Sequence, residues 1–90
     1  MSQRACVLLV DDESAIRALF AMVLRAEGYE VVEARDGEQA LALAADLPKI
    51  DVVVSDISMP HMNGISLAKA LRETYGDVKV VFVTGYHVDH

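Results

Sequence analysis

Two hydrophobic periods alternate along this chain. Cys6 to Val10 (CVLLV) is an unbroken apolar run closed by Asp11, the pattern of a strand buried on both faces. Ile16, Leu19, Phe20, Val23 and Leu24 then recur at i, i+3, i+4, i+7 and i+8. That spacing predicts one apolar stripe of a helix, with Gly28 placed to cap its C-terminus. A second strand is expected over 29–33. Asp36 followed by Gln39 has the form of a capping box and opens a helix through Ala40, Leu41, Leu43 and Ala44, which Pro48 terminates. Asp51 leads into a third buried strand, Val52-Val53-Val54, ending at Ser55-Asp56. Residues 57–64 carry Pro60, Asn63 and Gly64 and read as a loop. A third helix follows over 65–75, with Ile65, Ala68 and Leu71 inward and Gly76 as its stop. A fourth strand, 78–83, ends at Thr84-Gly85.

The order βαβαβαβ calls for a parallel sheet with helices on both faces, because parallel neighbours need crossover connections. Right-handed crossovers favour a doubly wound α/β sheet in the order 2-1-3-4. Strands one and three are then adjacent where the winding reverses, and ligands of such sheets bind at the carboxyl ends of the strands beside that point.

Composition narrows the class. Ninety residues support a single domain, and 53% hydrophobic residues suit a packed core rather than a disordered chain. Fourteen acidic against eight basic residues, a net charge of −6, disfavour binding to a nucleic-acid backbone. No apolar run approaches the roughly 20 residues of a membrane span, and the opening Met-Ser-Gln-Arg leads into too short an apolar run for a signal peptide. These features read as a cytoplasmic location. Cys6 is alone, which removes a disulfide framework or a thiolate metal cage and leaves a small core residue.

The candidate chemistry lies at the strand ends. Asp11 and Asp12 follow strand one and Asp56 ends strand three, so three carboxylates are expected in one crevice. Unit charges about 4 Å apart repel by ~1 kcal/mol in water and ~4 kcal/mol at an effective dielectric near 20. Such a cluster needs protonation, solvation or a cation. With no cysteine or histidine placed to help, the donors suit Mg²⁺ or Mn²⁺. Thr84, ending strand four, would point a hydroxyl into the same crevice, and Gly85 would allow close backbone approach. His61, His87 and His90 read as an exposed loop position and a frayed end rather than as ligands. Arg17, Arg25, Arg35 and Arg72 read as ordinary polar helix faces or turns.

VLLVDDES, VVVSDISMPHMNG and VVFVTGY together resemble the receiver domain of two-component response regulators. The resemblance covers essentially the whole chain. It implies that Asp56 accepts a phosphoryl group from a sensor histidine kinase. It implies too that Asp12, Asp56 and the backbone carbonyl of Ser58 bind Mg²⁺, with Asp11 contributing through water, and that Thr84 turns toward the phosphoryl oxygen. Pro60 and Gly64 match the family's loop, and Ser58 and Tyr86 occupy positions that tune the lifetime of the phosphorylated state. After a further helix the family continues with a fifth strand ending in a lysine that contacts the phosphoryl group, then a last helix. None of these lies within residues 1–90, so the expectation is a receiver domain incomplete at its C-terminus, with 78–83 as a bare apolar edge open to a second copy or to strand exchange.

Three functions stay open on the sequence. One is a phosphoacceptor module, which catalyses at most its own phosphorylation and dephosphorylation. A second is a receiver scaffold that binds or dimerises without switching. A third is a phosphohydrolase of the haloacid-dehalogenase type, disfavoured because Ser58 stands where that class carries a second aspartate.

Overall fold

The computed structural model describes residues 4–57, 59 and 62–83. Four strands, β1 (Cys6–Val10), β2 (Glu30–Ala34), β3 (Val52–Asp56) and β4 (Lys79–Val83), alternate with three helices, α1 (Ser14–Ala26), α2 (Gly37–Ala44) and α3 (Gly64–Tyr75). The sheet is parallel throughout, in the order β2-β1-β3-β4. This is the doubly wound, flavodoxin-like arrangement expected from the alternation of elements. Element boundaries fall within a residue or two of expectation: β2 begins at Glu30 rather than Tyr29, α3 at Gly64 rather than Ile65, and β4 at Lys79 rather than Val78.

Each helix end has a local cause. Gly28 has φ +97° beyond α1. Its N–H donates to the Arg25 carbonyl and that of Tyr29 to the Leu24 carbonyl, the paired bonds of a Schellman stop. Asp36 caps α2 by accepting from the Gln39 N–H at 2.7 Å, and the Gln39 side chain accepts from the Arg35 N–H. Asn63 caps α3 by accepting from the Ser66 N–H at 2.8 Å. That cap fixes where α3 starts, immediately beside the end of β3.

The main core lies between the sheet and the α2–α3 layer, where Leu8, Val10 and Val53 meet Ala40, Ala44, Leu67 and Leu71. Met59 and Met62, from the loop after β3, pack against its margin. The Tyr75 hydroxyl donates to the Ala44 carbonyl and ties α3 to the end of α2. Cys6 is buried as the first residue of β1, and its backbone is held at both ends by Asp51, whose Oδ2 accepts from the Cys6 N–H and whose N–H donates to the Cys6 carbonyl.

Two helices bury part of their expected faces and expose the rest. On α3 the buried stripe is Gly64, Leu67, Ala68 and Leu71, and Ile65 is 55% exposed. Ala68 and Leu71 face inward as expected, and Leu67 rather than Ile65 joins them because positions 64, 67, 68 and 71 form one i, i+3, i+4, i+7 stripe. On α1 the one buried residue is Ala21, while Leu19 and Val23 are exposed. Arg17 and Arg25 both reach Glu33 on β2. The inward face is Ile16, Arg17, Phe20, Ala21 and Leu24, all buried or half-buried, while Leu19 and Val23 form the exposed edge of the apolar stripe.

Candidate functional site

The three acids reach the same place from different parts of the chain. Asp11 and Asp12 follow the last residue of β1, Asp56 ends β3, and β1 and β3 are direct neighbours. One carboxylate oxygen from each acid can be chosen so that all three lie within 4.8 Å of one another. Asp11 and Asp56 are buried and Asp12 is exposed, so the cluster opens to solvent on the Asp12 side.

The Asp11 backbone is fixed from both sides. Its N–H donates to the Ala34 carbonyl on β2 at 3.1 Å, and its own carbonyl accepts from Arg17 Nη1 at 2.7 Å. Its carboxylate Oδ1 accepts from the Glu13 N–H at 2.8 Å. Burial pushes the Asp11 carboxyl above the ordinary carboxylate range; the Glu13 N–H opposes this, and the charges of Asp56, Asp12 and Glu13 add to the rise. A divalent cation would relieve both causes, since it solvates the buried group and neutralises its neighbours. Three hard oxygen donors with one solvent-facing side form a set that Mg²⁺ or Mn²⁺ fits.

Asp56 is held by close packing at its backbone. Ser55 Oγ donates to the Asp56 carbonyl at 2.9 Å, and the Gly64 N–H donates to the Ile57 carbonyl at 2.9 Å. A Cβ on Gly64 would stand 2.6 Å from the Asp56 carbonyl oxygen, 3.0 Å from Phe82 Cε1 and 3.1 Å from Ser55 Oγ. The start of α3 therefore presses directly on the end of β3, and only a residue without a side chain fits there.

Ser58, Pro60, His61, Thr84, Gly85, Tyr86, His87 and His90, each singled out from the sequence, lie outside the described residues. Sequence reasoning missed Arg17 and Ser55. Arg17 reads as helix surface, yet it is half-buried and bonded to the Asp11 carbonyl. A signal was available: a side chain in a helix's first turn leans back toward the N-terminus, and here that means toward Asp11.

Comparison with known proteins agrees with this architecture. The sensor kinase CckA of Brucella abortus is 44% identical over 90 residues, covering 99% of this chain but 10% of that protein. The crystal structure of the receiver domain from the hybrid histidine kinase CckA superposes with a TM-score of 0.84 at 44% identity, covering 92% of this chain and 78% of that one. The response regulator TrrA of Thermotoga maritima, solved in complex with Mg²⁺-BeF, has a TM-score of 0.83 at 37% identity, covering 93% of this chain and 72% of that one. A family model described as the response regulator receiver domain matches residues 7–90. With that match over nearly all of its length, and with the sheet in the order β2-β1-β3-β4, the chain belongs to the response regulator receiver domain family.

Proposed function

We propose that the chain is a phosphoacceptor module of a two-component system, with Asp56 as the acceptor. The observation that carries this reading is the convergence of the Asp11, Asp12 and Asp56 carboxylate oxygens within 4.8 Å at the carboxyl ends of β1 and β3. An Asp56 carboxylate oxygen forms the new bond to phosphorus, and the bond from phosphorus to the histidine nitrogen of the kinase breaks, the electron pair leaving with the imidazole. Mg²⁺ or Mn²⁺, held by Asp11, Asp12, Asp56 and the Ser58 carbonyl, would neutralise and align the approaching anions. The Thr84 hydroxyl is assigned to a phosphoryl oxygen. The chain turns over no metabolite: the phosphoryl group ends on the protein, and any catalysis is of its own phosphorylation and dephosphorylation.

A protein donor suits the surroundings of the crevice. Helix α1 starts two residues after Asp12 and exposes Leu19, Met22 and Val23, apolar surface of the kind that marks interaction sites. The donor is assigned to a sensor histidine kinase and the location to the cytoplasm; among the described residues no helix is long and apolar enough to cross a membrane. The edge of the sheet supports a second partner. Strand β4 pairs with β3 along one side, and its Val81 and Phe82 are 51% and 38% exposed, so we assign this edge to pairing with a second copy. Size-exclusion with light scattering on the 90-residue chain should give a concentration-dependent dimer, and a stable monomer at high concentration would refute that assignment.

The phosphoacceptor reading is tested with a small-molecule donor. Incubation with acetyl phosphate and Mg²⁺, followed by intact-mass measurement, should show a gain of one phosphoryl group that Asp56→Asn abolishes. No gain in the wild type, or an equal gain in the variant, would leave only the binding scaffold.

A further inference from the structure

We infer that Arg17 is a positioning residue of the acid site: it clamps the peptide unit joining Asp11 to Asp12 and so sets the direction of both carboxylates. The inference rests on the metal-dependent reading above. Arg17 Nη1 donates to the Asp11 carbonyl at 2.7 Å. That carbonyl belongs to the Asp11–Asp12 peptide plane, so holding it fixes the rotation that places one acid before the plane and one after it. The Ala34 carbonyl holds the preceding Asp11 N–H. Between them, β2 and α1 grip the turn from opposite sides.

The guanidinium has its own support. Arg17 Nε lies 3.4 Å from Glu33 Oε1, and the other oxygen of Glu33 pairs with Arg25 Nη1 at 3.1 Å. Arg25 in turn reaches the Val31 carbonyl through Nη2 at 3.1 Å. A chain of contacts thus runs from the backbone of β2 through Arg25, Glu33 and Arg17 to the Asp11 carbonyl. Arg17 Nε is buried with no hydrogen-bond partner among the described residues. A guanidinium placed only to pair with Glu33 would align Nε with it; the orientation adopted leaves that bond unmade while Nη1 meets the Asp11 carbonyl in good geometry. The side chain is oriented to the acid turn.

Positioning and mere proximity of charge predict opposite signs. A cation near a metal site repels the metal, so replacing Arg17 by an uncharged residue of similar length would tighten Mg²⁺ binding if charge were its whole effect. If Arg17 orients ligands, the same replacement weakens binding, typically 10- to 100-fold for groups that hold first ligands in place. The experiment is Mg²⁺ titration by calorimetry on the full chain for wild type, Arg17→Met and Arg17→Lys. It is paired with amide hydrogen exchange in the absence of metal. Arg17→Met is expected to bind Mg²⁺ about tenfold or more weakly, with Arg17→Lys between it and the wild type. Exchange of the Glu13 amide, which the Asp11 carboxylate protects, is expected to speed up in Arg17→Met. Equal or tighter Mg²⁺ binding by Arg17→Met would overturn the inference, as would unchanged Glu13 exchange. Should the wild type itself ignore Mg²⁺, the metal reading fails, and the exchange rate still decides whether Arg17 clamps the turn. Arg17→Lys retains the charge and keeps the comparison open if Arg17→Met does not fold.

Discussion

Replacing Gly64 by alanine is the sharpest perturbation of the contact between α3 and the acceptor strand. The added Cβ would lie 2.6 Å from the Asp56 carbonyl oxygen, a backbone atom that cannot swing aside. That oxygen also accepts from Ser55 Oγ, so it moves only with its neighbours. Forcing a methyl into a filled interior costs about 1–3 kcal/mol. Alanine recovers roughly 0.4–1 kcal/mol by restricting the unfolded chain, so the net loss should be about 1–2 kcal/mol. For a domain of this size each kcal/mol corresponds to roughly 4–8 °C in Tm. Gly28→Ala is the control: its strain arises from φ +97°, nothing lies within 4 Å of the added methyl, and it follows the C-terminal end of α1 whereas Asp11 and Asp12 precede its start. Both variants should melt earlier in calorimetry. Only Gly64→Ala should also slow phosphorylation by acetyl phosphate, measured by intact mass well below either Tm. A Gly64→Ala protein as stable as the wild type and phosphorylated at its rate would refute the close-approach argument.

Two further substitutions probe the rest of the framework. Leu67→Ala should cost about 2–5 kcal/mol and Ile65→Ala less than about 1 kcal/mol in urea unfolding, because Leu67 is fully buried and Ile65 is not; the reverse order would put Ile65, as expected from sequence, rather than Leu67 on the inward face. Asp51 carries a pH signature. The Cys6 N–H, then Lys49, holds its carboxyl below the ordinary range, so its contribution to stability is present above the unfolded value of about 3.9 and fades as pH falls through the lower folded value. Asp51→Asn should therefore have a lower urea midpoint than the wild type at neutral pH, with the gap closing on acidification across that window. A gap that stays constant would show that the ionised carboxylate is not what ties β3 to β1.

Most of the architecture is legible in the sequence because it depends on local causes. The apolar runs ending at Asp11 and Asp56, the cap at Asp36 and the stops at Gly28 and Gly76 are each determined by a few adjacent residues, and their order alone brings the acids to one crevice. What resists reading depends on contacts between distant segments. On α1 the packing buries Ala21 beside Ile16, Phe20 and Leu24 and leaves Leu19 and Val23 exposed, a choice that the apolar spacing does not make. Gly64 reads as part of the family's loop, but the reason it must lack a side chain, the Asp56 carbonyl beneath it, lies on another element. Arg17 carries no motif of its own, and its role emerges only from the Asp11 carbonyl it meets.

In the proposed function one shared cation brings three separate aspartates to one purpose. The most direct measurement follows the backbone amide signals of Asp11, Asp12 and Asp56 by NMR as Mg²⁺ is raised to millimolar concentration. The prediction is a saturable shift at all three residues with a single dissociation constant, abolished in Asp12→Asn. Signals that stay fixed, or that move independently of one another, would contradict it.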